Sequence, residues 1–138
     1  MFRIALSVLV LSGVLAVAGC GGDDEDATVT GTVSYRERIA IVGDAEVRVE
    51  LLDVSRQDAP ARKLAEQVQT LEGRQVPIPF ELTYDADDID ERFTYAVRGE
   101  IVAGDKVLFR STQTTPVITR GNPVEDVELV LTKASSSK

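Results

Sequence analysis

Gln75-Val76-Pro77-Ile78-Pro79-Phe80-Glu81-Leu82-Thr83-Tyr84 decides the fold class. Val76, Ile78, Phe80, Leu82 and Tyr84 fall on one side of an extended chain, while Pro77, Pro79, Glu81 and Thr83 fall on the other. An unbroken period of two is what a strand needs when one face meets a core and the other meets water, because successive side chains point to opposite sides of the pleat. The two prolines add a second constraint. Residues two apart send their N–H groups to the same strand edge, so Pro77 and Pro79 strip donors from one edge, which then carries no ordinary ladder there. That edge either guards against edge-to-edge aggregation or borders a groove for a partner.

The same period spreads outward from this stretch. Val29, Gly31, Val33 and Tyr35 alternate with Thr28, Thr30, Thr32 and Ser34; after a Gly43-Asp44 turn, Ala45, Val47, Val49 and Leu51 alternate with Glu46, Arg48 and Glu50. Residues 63–71 fit two periods, since Leu64, Val68 and Leu71 also suit a helix, but the piece is short and uncapped and reads as a strand. Phe93, Tyr95, Val97, Gly99 and Ile101 form another strand face. Val107, Phe109 and Ser111 follow through an Ala103-Gly104-Asp105 turn, a hairpin arrangement. Arg120-Gly121-Asn122-Pro123 turns the chain again before Val127, Leu129 and Leu131. About seven strands without a long amphipathic helix predict an all-β domain over residues 27–133, an antiparallel two-sheet β-sandwich. Residues 134–138 read as a polar, disordered tail.

Composition narrows the chemistry. The hydrophobic fraction is 43% with only 5% aromatic residues, and histidine and tryptophan are absent. The usual neutral-pH acid/base and the commonest metal ligand are therefore missing. No glycine-rich phosphate loop appears, and the serines have no histidine to activate them. Asp85-Ala86-Asp87-Asp88-Ile89-Asp90-Glu91 is the densest acidic run, but a calcium loop needs an oxygen ligand at the fifth position and glycine at the sixth, where Ile89 and Asp90 stand. The run reads instead as a connection in which Asp85 caps a short helical turn. Arg36, Glu37 and Arg38 are either a recognition patch or a solvated turn of mixed charge. The reading is a non-enzyme with no catalytic residues, no cofactor and no metal. A formal net charge of −8, with Arg3 alone charged in the first nineteen residues, excludes nucleic acid as a partner and disfavours anionic headgroups.

Membrane attachment has a different source. Met1-Phe2-Arg3 is a short positive region, and Ile4 to Val17 is an apolar run interrupted by Ser7, Ser12 and Gly13, the outline of a signal peptide over residues 1–19. The run is shorter than the roughly 20 residues a permanent helical span requires. Val17-Ala18-Gly19-Cys20 resembles the bacterial lipobox, in which an aliphatic residue and small residues precede a cysteine that takes fatty acyl chains such as palmitate. Cys20 is the one cysteine of the chain, so it has no disulfide partner within it, and lipid attachment gives it a role. Two or more chains make anchoring durable, since each buried methylene adds about 0.8 kcal/mol. Gly21 replaces the aspartate that retains such proteins in the inner membrane, which points to the periplasmic face of the outer membrane. Gly21-Gly22 and Asp23-Asp24-Glu25-Asp26 complete a flexible acidic tether over residues 20–26.

Four stretches, read together, carry a resemblance. Residues 30–40 (Thr-Gly-Thr-Val-Ser-Tyr-Arg-Glu-Arg-Ile-Ala), Leu51-Leu52-Asp53-Val54-Ser55, Gly73-Arg74-Gln75-Val76-Pro77-Ile78-Pro79-Phe80 and Thr119-Arg120-Gly121-Asn122-Pro123 resemble the YbaY family of bacterial lipoproteins, a group placed beside the YscW-type lipoprotein chaperones of type III secretion. The similarity runs from about Val29 to Leu131. Val42-Gly43 departs from it where prolines are expected, which bears on loop stiffness. The resemblance implies a β-sandwich lipoprotein and, for the YscW-type relatives, a role in helping an outer-membrane secretin reach its place. The expected function is thus that of a non-catalytic envelope interaction or assembly protein, chaperone-like or pilotin-like, anchored at Cys20 and able to bind a secretin-like envelope protein. The alternative is a structural or stress-linked envelope lipoprotein with a small-ligand site between its sheets. Cys20→Ser is expected to leave the protein unprocessed or soluble, and intact-mass analysis of the wild type is expected to find acyl chains on a mature chain that begins at Cys20.

Overall fold

The computed structural model describes residues 25–135. The predicted signal peptide, Cys20 and the tether up to residue 24 lie outside the described residues, as do residues 136–138 of the predicted tail. Among the described residues eight strands follow in chain order: β1 (Asp26–Tyr35), β2 (Glu46–Asp53), β3 (Arg62–Thr70), β4 (Ile78–Asp85), β5 (Tyr95–Ala103), β6 (Lys106–Arg110), β7 (Thr115–Val117) and β8 (Val127–Lys133). The helical structure among the described residues is one 3-10 turn, Ala86–Asp88. The stretch that fits two periods is strand β3, paired antiparallel with β2, so that Gln67 lies opposite Val49 and Gln69 opposite Val47.

The all-β expectation holds, and the two-sheet antiparallel sandwich is corrected. The strands form one hydrogen-bonded path in the order β3-β2-β5-β6-β8-β1-β4, with β7 attached to β5, rolled into a nearly closed, barrel-like shape. Within it β1 and β8 run parallel, from Gly31 beside Val127 to Tyr35 beside Leu131. Alternation reports which face of a strand is buried but not which strand lies beside it, and this contact joins the first strand to the last. β6 and β8 share the pairs Phe109–Lys133 and Arg110–Thr132, a short link that makes two halves one sheet. Register shifts at Leu51/Leu52 and Ile101/Val102 bend the long strands as the sheet rolls. The eighth strand, β7, has three residues centred on Pro116 and is too short to show a period.

The interior is filled by the inward faces of β1, β2, β4, β5 and β8, with Val29, Val33, Leu51, Ile78, Ile101 and Leu129 essentially inaccessible. Tyr35 and Phe109 stack across this core, ring centroids 4.2 Å apart and planes 11° from parallel. Each such side chain contributes on the order of 1.5–3 kcal/mol by leaving water.

β3 and β4 end the path and face one another, and here the proline edge acquires its meaning. Pro79 has no N–H to offer β3, so side chains bridge the gap. Gln69 Nε2 donates to the Pro79 carbonyl at 2.8 Å, and the Glu81 N–H donates to Gln67 Oε1 at 3.0 Å. The barrel is closed at this seam by two glutamine amides in place of a ladder. Gln67→Ala is therefore expected to cost about 0.5–1.5 kcal/mol in urea unfolding, the range of one hydrogen bond. It should also accelerate amide exchange at Glu81 while leaving amides in the β2–β5 ladder unchanged.

Candidate docking groove

β1 gives the molecule an axis. At its start the Ala86 N–H donates to the Glu25 carbonyl at 3.0 Å, and Asp26 pairs with Asp85, so the chain enters beside the acidic run 85–91. Asp85 caps the 3-10 turn as expected, accepting from the Asp87 N–H at 2.8 Å. Asp90 accepts from the backbone and the guanidinium of Arg92, and the Asp90 N–H donates to the buried Tyr95 hydroxyl at 2.9 Å. These carboxylates serve the loop's own backbone, and no group of three or more potential ligands suited to a metal occurs among the described residues. Arg92's hydrogen bonds hold the Asp90 carboxyl down at about 2.

The other end of β1 runs into the loop 36–45. Tyr35, held on Phe109, donates its hydroxyl proton to the Ile39 carbonyl at 2.7 Å. Gln75 grips Ile41 from the neighbouring loop, its Oε1 accepting from the Ile41 N–H and its Nε2 donating to the Ile41 carbonyl, both at 3.2 Å. The Leu71 N–H donates to the Ala45 carbonyl at 2.8 Å. The loop is thus strapped down with Ile41 buried and its neighbours turned outward, Ile39 48% and Val42 82% exposed. Beside them the β5–β6 hairpin and the end of β8 complete a groove of about 400 Å³, floored by Ile39, Val42, Val107, Leu108 and Ala134 and flanked by Lys106 and Lys133. Contiguous apolar side chains left in water make this groove the candidate docking surface of the described residues.

The sequence-level candidates separate accordingly. Arg36 and Arg38 are exposed at the head of this loop, whereas Glu37 is half-buried, and its Oε2 has no hydrogen-bond partner among the described residues. Burial, with the Glu37 charge beside it, holds the Tyr35 hydroxyl above the ordinary tyrosine range. Pro79 belongs to the seam, Pro77 stands just before β4 begins at Ile78, neither lines the groove, and Cys20 lies outside the described residues. The groove residues themselves escape a reading by alternation. Their one local signal is Ile39-Ala40-Ile41-Val42, four apolar residues in a row between two strands, where a loop is ordinarily polar.

The described residues thus form an all-β domain with an exposed apolar groove at one end and its densest acidic run at the other. Comparison with known proteins gives the family: the model of the type III secretion system lipoprotein chaperone (YscW) family matches residues 24–129, and the chain belongs to that family. It is 33% identical over 106 residues to the uncharacterized lipoprotein YbaY of Escherichia coli K12, an alignment that covers 77% of this chain and 56% of that protein. The chain thus spans little more than half the length of the curated relative it matches. Among solved structures it is similar to an alternative pilotin from the type II secretion system of Vibrio cholerae, at 36% identity and a TM-score of 0.73, covering 80% of this chain and 100% of that one.

The Asp90 pin has a defined pH response. Because its folded value of about 2 lies below the ordinary 3.8, the stabilisation is complete above about pH 4 and is lost as the pH falls through 2. Carboxyl chemical shifts followed through an acid titration should place the Asp90 midpoint well below the ordinary aspartate value. Arg92→Ala should return the Asp90 midpoint to the usual aspartate range.

Proposed function

We propose that this protein is a lipid-anchored, non-catalytic chaperone that binds another envelope protein through the groove, at the periplasmic face of the outer membrane. The supporting observation is the exposed apolar groove at the end of β1 remote from where the chain enters, in a fold similar to that of a pilotin. A secretin-like outer-membrane component is the partner that the family resemblance suggests. Acyl chains on Cys20 confine the domain within a tether's reach of the bilayer. Confinement raises the effective concentration of any partner embedded there, so even a modest interface suffices. The chain enters at the acidic end, so the groove lies at the end of the domain farther from the tether. A small-ligand function is less well supported, because Leu51, Ile101, Phe109 and Leu129 occupy the interior and a ligand between the sheet halves would have to displace them.

A photoreactive residue at Val42 in intact cells is expected to crosslink to a secretin-like outer-membrane protein. The same residue at Val68, half-exposed on β3 and away from the groove, is expected not to. Equal crosslinking from both sites, or none from Val42 together with a tightly held small molecule in the purified protein, would count against this function.

A further inference from the structure

The charge of the whole molecule and the charge at its groove have opposite signs. With a net charge of −8 the chain as a whole favours a basic partner. Its carboxylates, however, gather at the end where the chain enters, in Glu25, Asp26 and the run from Asp85 to Glu91. On the outer faces of β2, β3 and β5, cations and anions neutralise one another: Arg48 contacts Glu46 at 3.2 Å and Glu100 at 3.9 Å, and Lys63 pairs with Glu50 at 3.5 Å and with Glu66. The groove differs from both regions. Its charged lining consists of Lys106 and Lys133, no carboxylate lines it, and neither lysine forms an ion pair among the described residues.

We propose that the groove recognises an apolar protein segment that carries carboxylates, seating its apolar side chains on Ile39, Val42 and Leu108 and its acidic groups against Lys106 and Lys133. This rests on the groove being the docking surface and adds the chemistry of what docks. A free fatty acid shares the combination of apolar chain and carboxylate. The shape selects the protein segment, because Val42 at 82% exposure and Ile39 at 48% form an open shelf, which leaves one side of a lone alkyl chain in water. The acidic end of the molecule repels the same segment. Lysines at one end and carboxylates at the other therefore orient the partner as well as attract it.

The test uses the full-length lipoprotein in lipid nanodiscs and two fluorescent peptides of one leucine- and alanine-rich sequence, one bearing glutamates and the other lysines. The acidic peptide is expected to bind more tightly, and its affinity should fall as salt rises. Lys106→Glu with Lys133→Glu, both on exposed side chains, should weaken it about tenfold and reverse the preference between peptides. Thermal melting shows whether this variant stays folded, and Lys106→Glu alone should give a smaller loss in the same direction. Equal or tighter binding of the basic peptide, indifference to charge reversal, no binding of either peptide, or displacement of the acidic peptide by lower concentrations of decanoate would each overturn the proposal. The neutral variant Val42→Asn separates the two levels. If it weakens both peptides while charge reversal does nothing, the groove stands as the docking surface and the acidic preference falls. If it changes neither, the groove itself is not the surface.

Discussion

At Gly31 the first strand has β4 on one side and β8 on the other, and a Cβ there would stand 2.0 Å from the Val127 carbonyl oxygen and 2.9 Å from the Phe80 ring. Only a residue without a side chain lets the three strands approach this closely. The approach matters because β1 is the strand through which the last and the fourth elements join one sheet, and without that junction β1 and β4 would be cut off from the rest of the path. Backbone lies on the far side of the missing Cβ, so no rotamer change would relieve a larger residue. The parallel β1–β8 pair, the rolled sheet and the meeting of its two edges all follow from this contact.

A sheet rolled this far must do something with its edges. In this protein β3 and β4 face each other without a ladder, since the β4 edge carries Pro79, and two glutamine amides span the gap. Side-chain closure satisfies a carbonyl and an N–H that would otherwise be left at a shielded edge, and it denies a passing strand the regular row of donors on which aggregation depends. The same arrangement explains why β3 reads ambiguously. Gln67 and Gln69 stand on the side of the strand where an apolar residue is expected, because their amides are required at the seam.

Surface chemistry divides along the axis of β1. One end receives the chain and gathers acid, with the Asp85 carboxylate accepting from local backbone and that of Asp90 from the backbone and guanidinium of Arg92. The other end carries the loop 36–45, held by one tyrosine hydroxyl and one glutamine amide so that Ile41 is buried while Val42 is exposed. Rigid support beneath an exposed apolar surface is the arrangement a docking protein needs, because little ordering is left to be done when the partner arrives.

Much of this was legible in the residues alone, and the division has a physical cause. Period two is a local property, so the strands, their inward faces, the Asp85 cap and the proline edge could be read from neighbours a few positions apart, and the four quoted stretches were enough to carry the family. Strand partners are not local. Nothing in Thr30-Gly31-Thr32 announces that β8 will lie parallel beside it, and three residues around Pro116 cannot display a period. The groove is the clearest case. Ile39 and Val42 become a surface because Gln75, 34 residues away, grips Ile41, and because Phe109 supports Tyr35 from another strand. The sequence by itself determined which side chains leave water within each strand, an energetic preference that each segment carries on its own. Only the tertiary structure decided which apolar residues are left uncovered, because that depends on how the whole sheet closes around them.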